Sequence, residues 1–156
     1  MSLSRRKLIS RTALGGLVLA ASGRWTLPAF AGDTIKIGAP FNMTGAVASL
    51  DAPAANGAKL KAQEINDAGG VLGKKIELVT YDTKTDPTVI ASTGSRLVNE
   101  DKVSVIIGFT DSDSVLALGP IAEKAGIPFV TPGATSPKLP EQVGKNMFLA
   151  CFGDNV

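Results

Sequence analysis

Asp111-Ser112-Asp113-Ser114 is the stretch in which nucleophile and carboxylate types stand closest together. A hydroxyl beside acids could belong to a hydrolase, but the chain has no histidine, so a Ser-His-Asp relay cannot form. Neither Ser112 nor Ser114 has a lysine at the S-x-x-K spacing. Ala68-Gly69-Gly70-Val71-Leu72-Gly73-Lys74-Lys75 imitates a phosphate loop, with alanine for its first glycine and lysine for its final hydroxyl. It falls between a helix and a strand, the reverse of the order that motif needs, and reads as a helix cap followed by a hairpin-like turn. No G-x-G-x-x-G follows the first strand, so a dinucleotide site is unsupported. Cys151 is the lone cysteine, which excludes an internal disulfide and a multi-cysteine metal site. Asp82 and Asp86 read as a loop carboxylate and a helix cap. No catalysis and no cofactor is expected.

Binding chemistry fits better. A helix opening at Ser112 presents unpaired N–H groups and partial positive charge to a carboxylate, and the Ser112 hydroxyl adds a donor. Pro132-Gly133-Ala134-Thr135-Ser136-Pro137 offers main-chain carbonyls near Gly133 and the Thr135 hydroxyl. Donors for a carboxylate beside acceptors for an ammonium describe an α-amino acid site. The same residues fit simple capping by Ser112 and a turn at Thr135-Ser136-Pro137 equally well.

The elements that must position these loops alternate regularly. Strands are expected at 34–39, 75–81, 103–108, 128–131 and 147–152. Helices are expected from Pro53 to the Gly69-Gly70 stop, from the Asp86 cap and Pro87 to about Asn99, and over 112–125. Pro40 to Ala52 reads as loop. Ala54, Ala58, Ala62 and Ile65 recur at helical spacing, a small-residue face that can press on a sheet. Alternation of this kind gives an α/β fold, a parallel sheet with helices on both faces, whose ligand loops lie at the strands' carboxyl ends. The chain ends on a strand with nothing left to cover it.

At 156 residues and 44% apolar content, the chain accommodates one ordinary globular domain. Of its 16 Lys and Arg side chains, five (Arg5, Arg6, Lys7, Arg11 and Arg24) precede the first acid, leaving 11 against 14 acidic groups after residue 31. That net −3, with no basic cluster, provides no footprint for nucleic acid. The basic start, the apolar run Ala13 to Ala21 and Ala29-Phe30-Ala31 form an export signal cleaved after Ala31, and the paired arginines point to the twin-arginine machinery over the Sec route. Residues 32–156 are then the mature, periplasmic portion.

Several of these residues together resemble the solute-binding proteins of branched-chain amino acid ABC transporters, with the type I periplasmic binding fold. The markers are Ile35-Lys36-Ile37-Gly38 with Thr44-Gly45, and Gly57-Ala58 through Ile65-Asn66-Asp67-Ala68-Gly69-Gly70-Val71-Leu72-Gly73-Lys74-Lys75. Tyr81-Asp82, Asp86-Pro87, Ile107-Gly108, Gly126-Ile127-Pro128 and Thr131-Pro132 follow in the family's order.

The resemblance implies capture of an amino acid or small amide between two lobes and delivery to a membrane permease, with no cofactor. It assigns Ser112 to the ligand carboxylate, the Gly133 carbonyl to the ammonium and Thr135 to both. Leu50 falls where the family often has an aromatic wall. Thr110, Asp111 and Ala134 complete the expected contact set. Some members bridge two cysteines at the positions of Thr85 and Asp111, which is impossible here. Asp111 and Asp113, bracketing Ser112, are expected at the helix start, with recruitment of a cationic or amide ligand as the alternative. The chain covers only the amino-terminal lobe, and the second lobe would supply the acidic ammonium partner, so residues 32–156 are expected to bind amino acids weakly or not at all. A sensor of the same fold and a nonfunctional remnant are the alternatives.

Overall fold

The computed structural model describes residues 34–154. Five parallel strands lie in the order β2-β1-β3-β4-β5: β1 Ile35–Phe41, β2 Ile76–Asp82, β3 Val105–Ile107, β4 Phe129–Thr131 and β5 Met147–Leu149. Between them run α1 Ala48–Asp67, α2 Pro87–Arg96, α3 Ser112–Ala125 and α4 Leu139–Val143, with one wide turn of π-helix, Leu97–Asp101, continuing α2.

Alternating side chains serve the sheet's two faces. On one, Ala39, Phe41, Leu78 and Ile107 meet Ala54, Ala55 and Ala58 of α1, whose small side chains let the helix lie close. On the other, Ile106 and Phe129 join Ile90, Leu97, Val115, Leu118, Ala122, Leu139 and Val143 from α2, α3 and α4 in the larger core. The expected α/β architecture with helices on both faces is present. On β5, Met147 is buried in the larger core and Phe148, pointing the other way, is half exposed.

Several boundaries differ from expectation. The predicted loop Pro40 to Ala52 is strand as far as Phe41 and helix from Ala48, so Leu50 sits in the first turn of α1 and Pro53 lies inside it. Proline favours a first turn by local preference, but Asp51 is anchored from the sheet side and sets the helix start earlier. The carbonyl that Pro53 leaves unpaired belongs to exposed Ser49, where water can serve it. Helix α4 was not expected; its five residues carry too little periodicity to stand out. The last strand stops at Leu149 instead of Phe152.

Other signals act as read. Asp86 caps α2 by accepting from the Thr88 and Val89 amides at 2.7 and 3.1 Å. Beyond α1, Gly69 and Gly70 take φ of 107° and 74°, and Val71 and Lys74 close a tight antiparallel turn. The Asn66 carboxamide pins the end of α1 to β2 by exchanging two hydrogen bonds with Ile76, at 2.7 and 2.8 Å.

Candidate functional site

The chain leaves β1 toward β2 on one side and leaves β3 toward β4 on the other, so the topological switch point is the crevice at the carboxyl ends of β1 and β3. Asn42 follows β1 there, and Gly108 to Asp111 follow β3. Gly108 is obligatory: a Cβ on it would stand 2.2 Å from the Pro40 carbonyl oxygen. Phe109, next in the chain, is fully buried at a left-handed φ of 58°. Such a conformation costs about 1–2 kcal/mol in a non-glycine residue. It is offset by burial of the ring edge-on to Phe129, centroids 6.3 Å apart, and by the Thr131 hydroxyl donating to the Phe109 carbonyl at 2.8 Å. The bend turns Thr110 toward α1.

There Thr110 meets Asp51, which is wholly buried. One carboxylate oxygen accepts from the Thr110 amide (2.8 Å) and hydroxyl (2.6 Å), the other from the Asn42 amide (2.7 Å). The Asn42 side chain, also wholly buried, uses its full capacity. Its oxygen accepts from the Thr83 hydroxyl (2.7 Å) and the Thr85 amide (2.8 Å), and its nitrogen donates to Ser114 Oγ (3.0 Å) and Asp111 Oδ2 (3.1 Å). Asn42 therefore bridges Thr85 and Asp111 by hydrogen bonds, the two positions at which the family resemblance implies a disulfide in some members.

Asp111 is the N-cap of α3: its Oδ1 accepts from the Ser114 amide at 2.8 Å. Capping therefore does not fall to Ser112. Its hydroxyl has no hydrogen bond among the described residues, and neither do the amides of Ser112 and Asp113 at the helix start. Asp113 is exposed in the first turn. On the neighbouring loop, the Thr131 hydroxyl accepts from the Ala134 amide at 3.0 Å, shaping the turn after β4. Gly133 packs against Thr110 so closely that a Cβ would come 3.0 Å from Thr110 Cβ. The Gly133 carbonyl and the Thr135 hydroxyl are likewise without partners among the described residues.

From the far side, Cys151 Sγ donates to the Ala134 carbonyl at 3.3 Å and the Asp154 amide to the Thr135 carbonyl at 3.0 Å, so the segment after β5 backs this loop. Leu50, beside Asp51, is 58% exposed.

The predicted residues thus gather at one edge, but in two kinds. Ser112, Gly133 and Thr135 keep polar groups uncommitted. Thr110 and Asp111 spend theirs inside the protein, and Ala134 is buried. Sequence reasoning misses Asn42, Asp51 and Thr83. A polar residue directly after β1 is the available signal, hidden because Asp51 reads as part of a loop.

A pocket of about 290 Å³ opens beside Asp111, lined by Val47, Thr85, Pro87, Ile90, Asp113 and Ser114 but not by Gly133 or Thr135. A larger groove of about 590 Å³ lies between α2 and α3, lined by Ser95, Asn99 and Lys124 among others, and includes none of the predicted residues. Loop tips along a sheet edge make an open surface, so neither hollow coincides with the uncommitted groups. Among the described residues, no group of three acidic or cysteine side chains could hold a metal ion.

The family profile described as "Periplasmic binding protein" matches residues 34–155. The chain belongs to this family. An amino acid binding protein of Pseudomonas aeruginosa is 36% identical over 141 residues, 90% of this chain and 38% of the relative. The leucine-specific-binding protein of Salmonella typhimurium is 32% identical over 133 residues, 85% and 35% of the two chains. Among solved structures, the branched-chain amino acid transporter substrate binding protein LivJ from Streptococcus pneumoniae, in complex with isoleucine, superposes with a TM-score of 0.75. It shares 38% identity over 78% of this chain and 35% of that one. A solute binding protein of an ABC transporter from Rhodopseudomonas palustris, in complex with 3,4-dihydroxybenzoic acid, gives a TM-score of 0.68 and 29% identity over 78% and 33% of the chains. The fold is accordingly that of a type I periplasmic-binding lobe, and the chain spans just over a third of the length of these curated relatives. Among the described residues, no helix is long and apolar enough to cross a membrane.

Proposed function

We propose that this protein serves as a periplasmic substrate-binding component of an ABC importer for branched-chain or related amino acids or small amides. Residues 1–31, which lie outside the described residues, act as its export signal, and a membrane permease is its partner. The observation that carries the reading is the pattern of uncommitted groups at the sheet edge. The Ser112 hydroxyl and the Ser112 and Asp113 amides can donate to a carboxylate, while the Gly133 carbonyl and the Thr135 hydroxyl can accept from an ammonium. Leu50, exposed in the first turn of α1, supplies an aliphatic wall. Relatives named for leucine binding and a structural neighbour holding isoleucine support the amino acid class. The neighbour holding an aromatic acid shares only the carboxylate with them, so the ammonium acceptors are what distinguish the two ligand types here.

Addition of L-leucine to residues 32–156, followed through backbone amide resonances, tests this. High ligand concentrations are expected to move Ser112, Asp113 and Thr135 in the parent protein, and Ser112→Ala or Thr135→Ala to suppress those shifts. Equal shifts with 3,4-dihydroxybenzoate would remove the ammonium contact. Movement confined to other parts of the molecule would overturn the site.

A further inference from the structure

Asp51 is a wholly buried carboxylate that touches none of the ligand-facing groups, and its three hydrogen bonds all end on loop atoms. A buried acid is expensive unless every lone pair is used, and here the donors come from two segments far apart in sequence. The amide of Asn42 belongs to the β1 loop; the amide and hydroxyl of Thr110 belong to the β3 loop. We propose that Asp51 is the positioning residue of the ligand edge, holding Thr110 so that the start of α3 points its unpaired amides and the Ser112 hydroxyl outward.

The inference rests on the ligand-site reading above for what those groups bind, but its geometry stands apart from it. Thr110 lies between two constraints. On one side Phe109 is held in a left-handed conformation by the Thr131 hydroxyl, and on the other Asp111 is capping α3. Without an acceptor at Asp51, the Thr110 amide and hydroxyl would be left to find new partners, and the loop could relax from the strained Phe109 turn. Thr110 also packs against Gly133, so displacement of Thr110 reaches the second ligand loop directly. Asp51 thereby connects α1, the β1 loop and both ligand loops.

Asparagine is the discriminating substitution. It preserves shape, but its amide nitrogen must face either the Asn42 amide or the Thr110 donors, setting donor against donor. In Asp51→Asn of residues 32–156, hydrogen exchange at the Asn42 and Thr110 amides is expected to rise about tenfold or more while Ile106, Leu118 and Val130 keep their protection. The Ser112 and Asp113 resonances are expected to move without ligand present. Unchanged exchange at Asn42 and Thr110 would overturn the proposal. So would a uniform rise through the sheet and α3, which would make Asp51 a general stability residue.

Should Asp51→Asn fail to fold, Thr110→Val removes only the 2.6 Å hydroxyl contact. It is expected to raise exchange at Thr110 several-fold with Leu118 unaffected, and no rise there would be equally fatal. Leucine-induced shifts confined to parts of the molecule away from Ser112, Asp113 and Thr135 would end the ligand assignment, whereas the role of Asp51 is decided by hydrogen exchange alone.

Discussion

Asn42 shows how one side chain can tie several loop positions together. Its carboxamide spans Thr85 and Asp111 through two hydrogen bonds and holds Thr83 and Ser114 with two more, at a site without solvent. Asn42→Ala would strand the buried Thr83 hydroxyl and unpair the half-buried Thr85 amide, and a buried unpaired group costs about 1–3 kcal/mol. The expected loss is about 3 kcal/mol, measured by urea denaturation as a lower midpoint with the slope retained. Asn42→Asp is expected to be comparably harmful, because it sets a second carboxylate against Asp111 where a donor is needed. A midpoint unchanged in both variants would mean that the network is not holding these loops. The hydroxyl of Ser112 behaves oppositely: with no partner among the described residues, its loss should leave stability alone and act only on the proposed ligand contact.

At the scale of elements, caps and strand ends carry the local electrostatics. Asp111→Ala removes both the N-cap of α3 and the acceptor of one Asn42 amide hydrogen, and is expected to cost about 2–3 kcal/mol, whereas Asp113→Ala, exposed in the same first turn, should lie within about 0.5 kcal/mol of the parent. Paired thermal or urea unfolding curves check the contrast. Two carboxylates sit below the ordinary 3.8. At Asp82 partial burial pushes upward but is outweighed by hydrogen bonds from the Thr44 hydroxyl and the Lys84 and Thr44 amides; at Asp86 the Val89 and Thr88 amides dominate.

A lowered folded-state value means that the unfolded chain binds more protons in the acid range. The stabilisation is therefore complete above the unfolded value and disappears as pH falls through the folded one. The melting temperature should decline on acidification below about pH 4, and Asp82→Asn should flatten that decline. An equally steep decline in the variant would assign the acid sensitivity elsewhere.

On the scale of the whole molecule, residues 34–154 form one continuous parallel sheet whose loops of interest share an edge, and the family relatives extend well beyond the length of this chain. The proposed export can be tested on the entire sequence. A Sec-type leader needs positive charge at its start, which lysine supplies, whereas a twin-arginine leader needs the arginines themselves. Replacing Arg5 and Arg6 together by lysine is expected to leave the protein unprocessed in the cytoplasm, read by fractionation and the size of the product. Normal processing of that variant would assign the leader to the Sec route.

Strand and helix alternation, the Asp86-Pro87 start, the Gly69-Gly70 stop and the hydroxyl-bearing loops at Ser112 and Thr135 could all be read from the chain itself, because each depends on local backbone preference or on hydrophobic period. The position of Leu50 and the early start of α1 could not, since a carboxylate bonded across nine and fifty-nine residues of sequence decides them. The same holds for the division of labour at the site. Sequence placed Thr110, Asp111 and Ser112 side by side in the expected contact set, with Ser112 assigned to the ligand carboxylate and Asp111 to the helix start. Only the tertiary fold, by bringing Asn42 and Asp51 into the crevice between β1 and β3, consumes the first two and leaves the Ser112 hydroxyl without a partner among the described residues, because a polar group's availability depends on partners that local sequence does not contain.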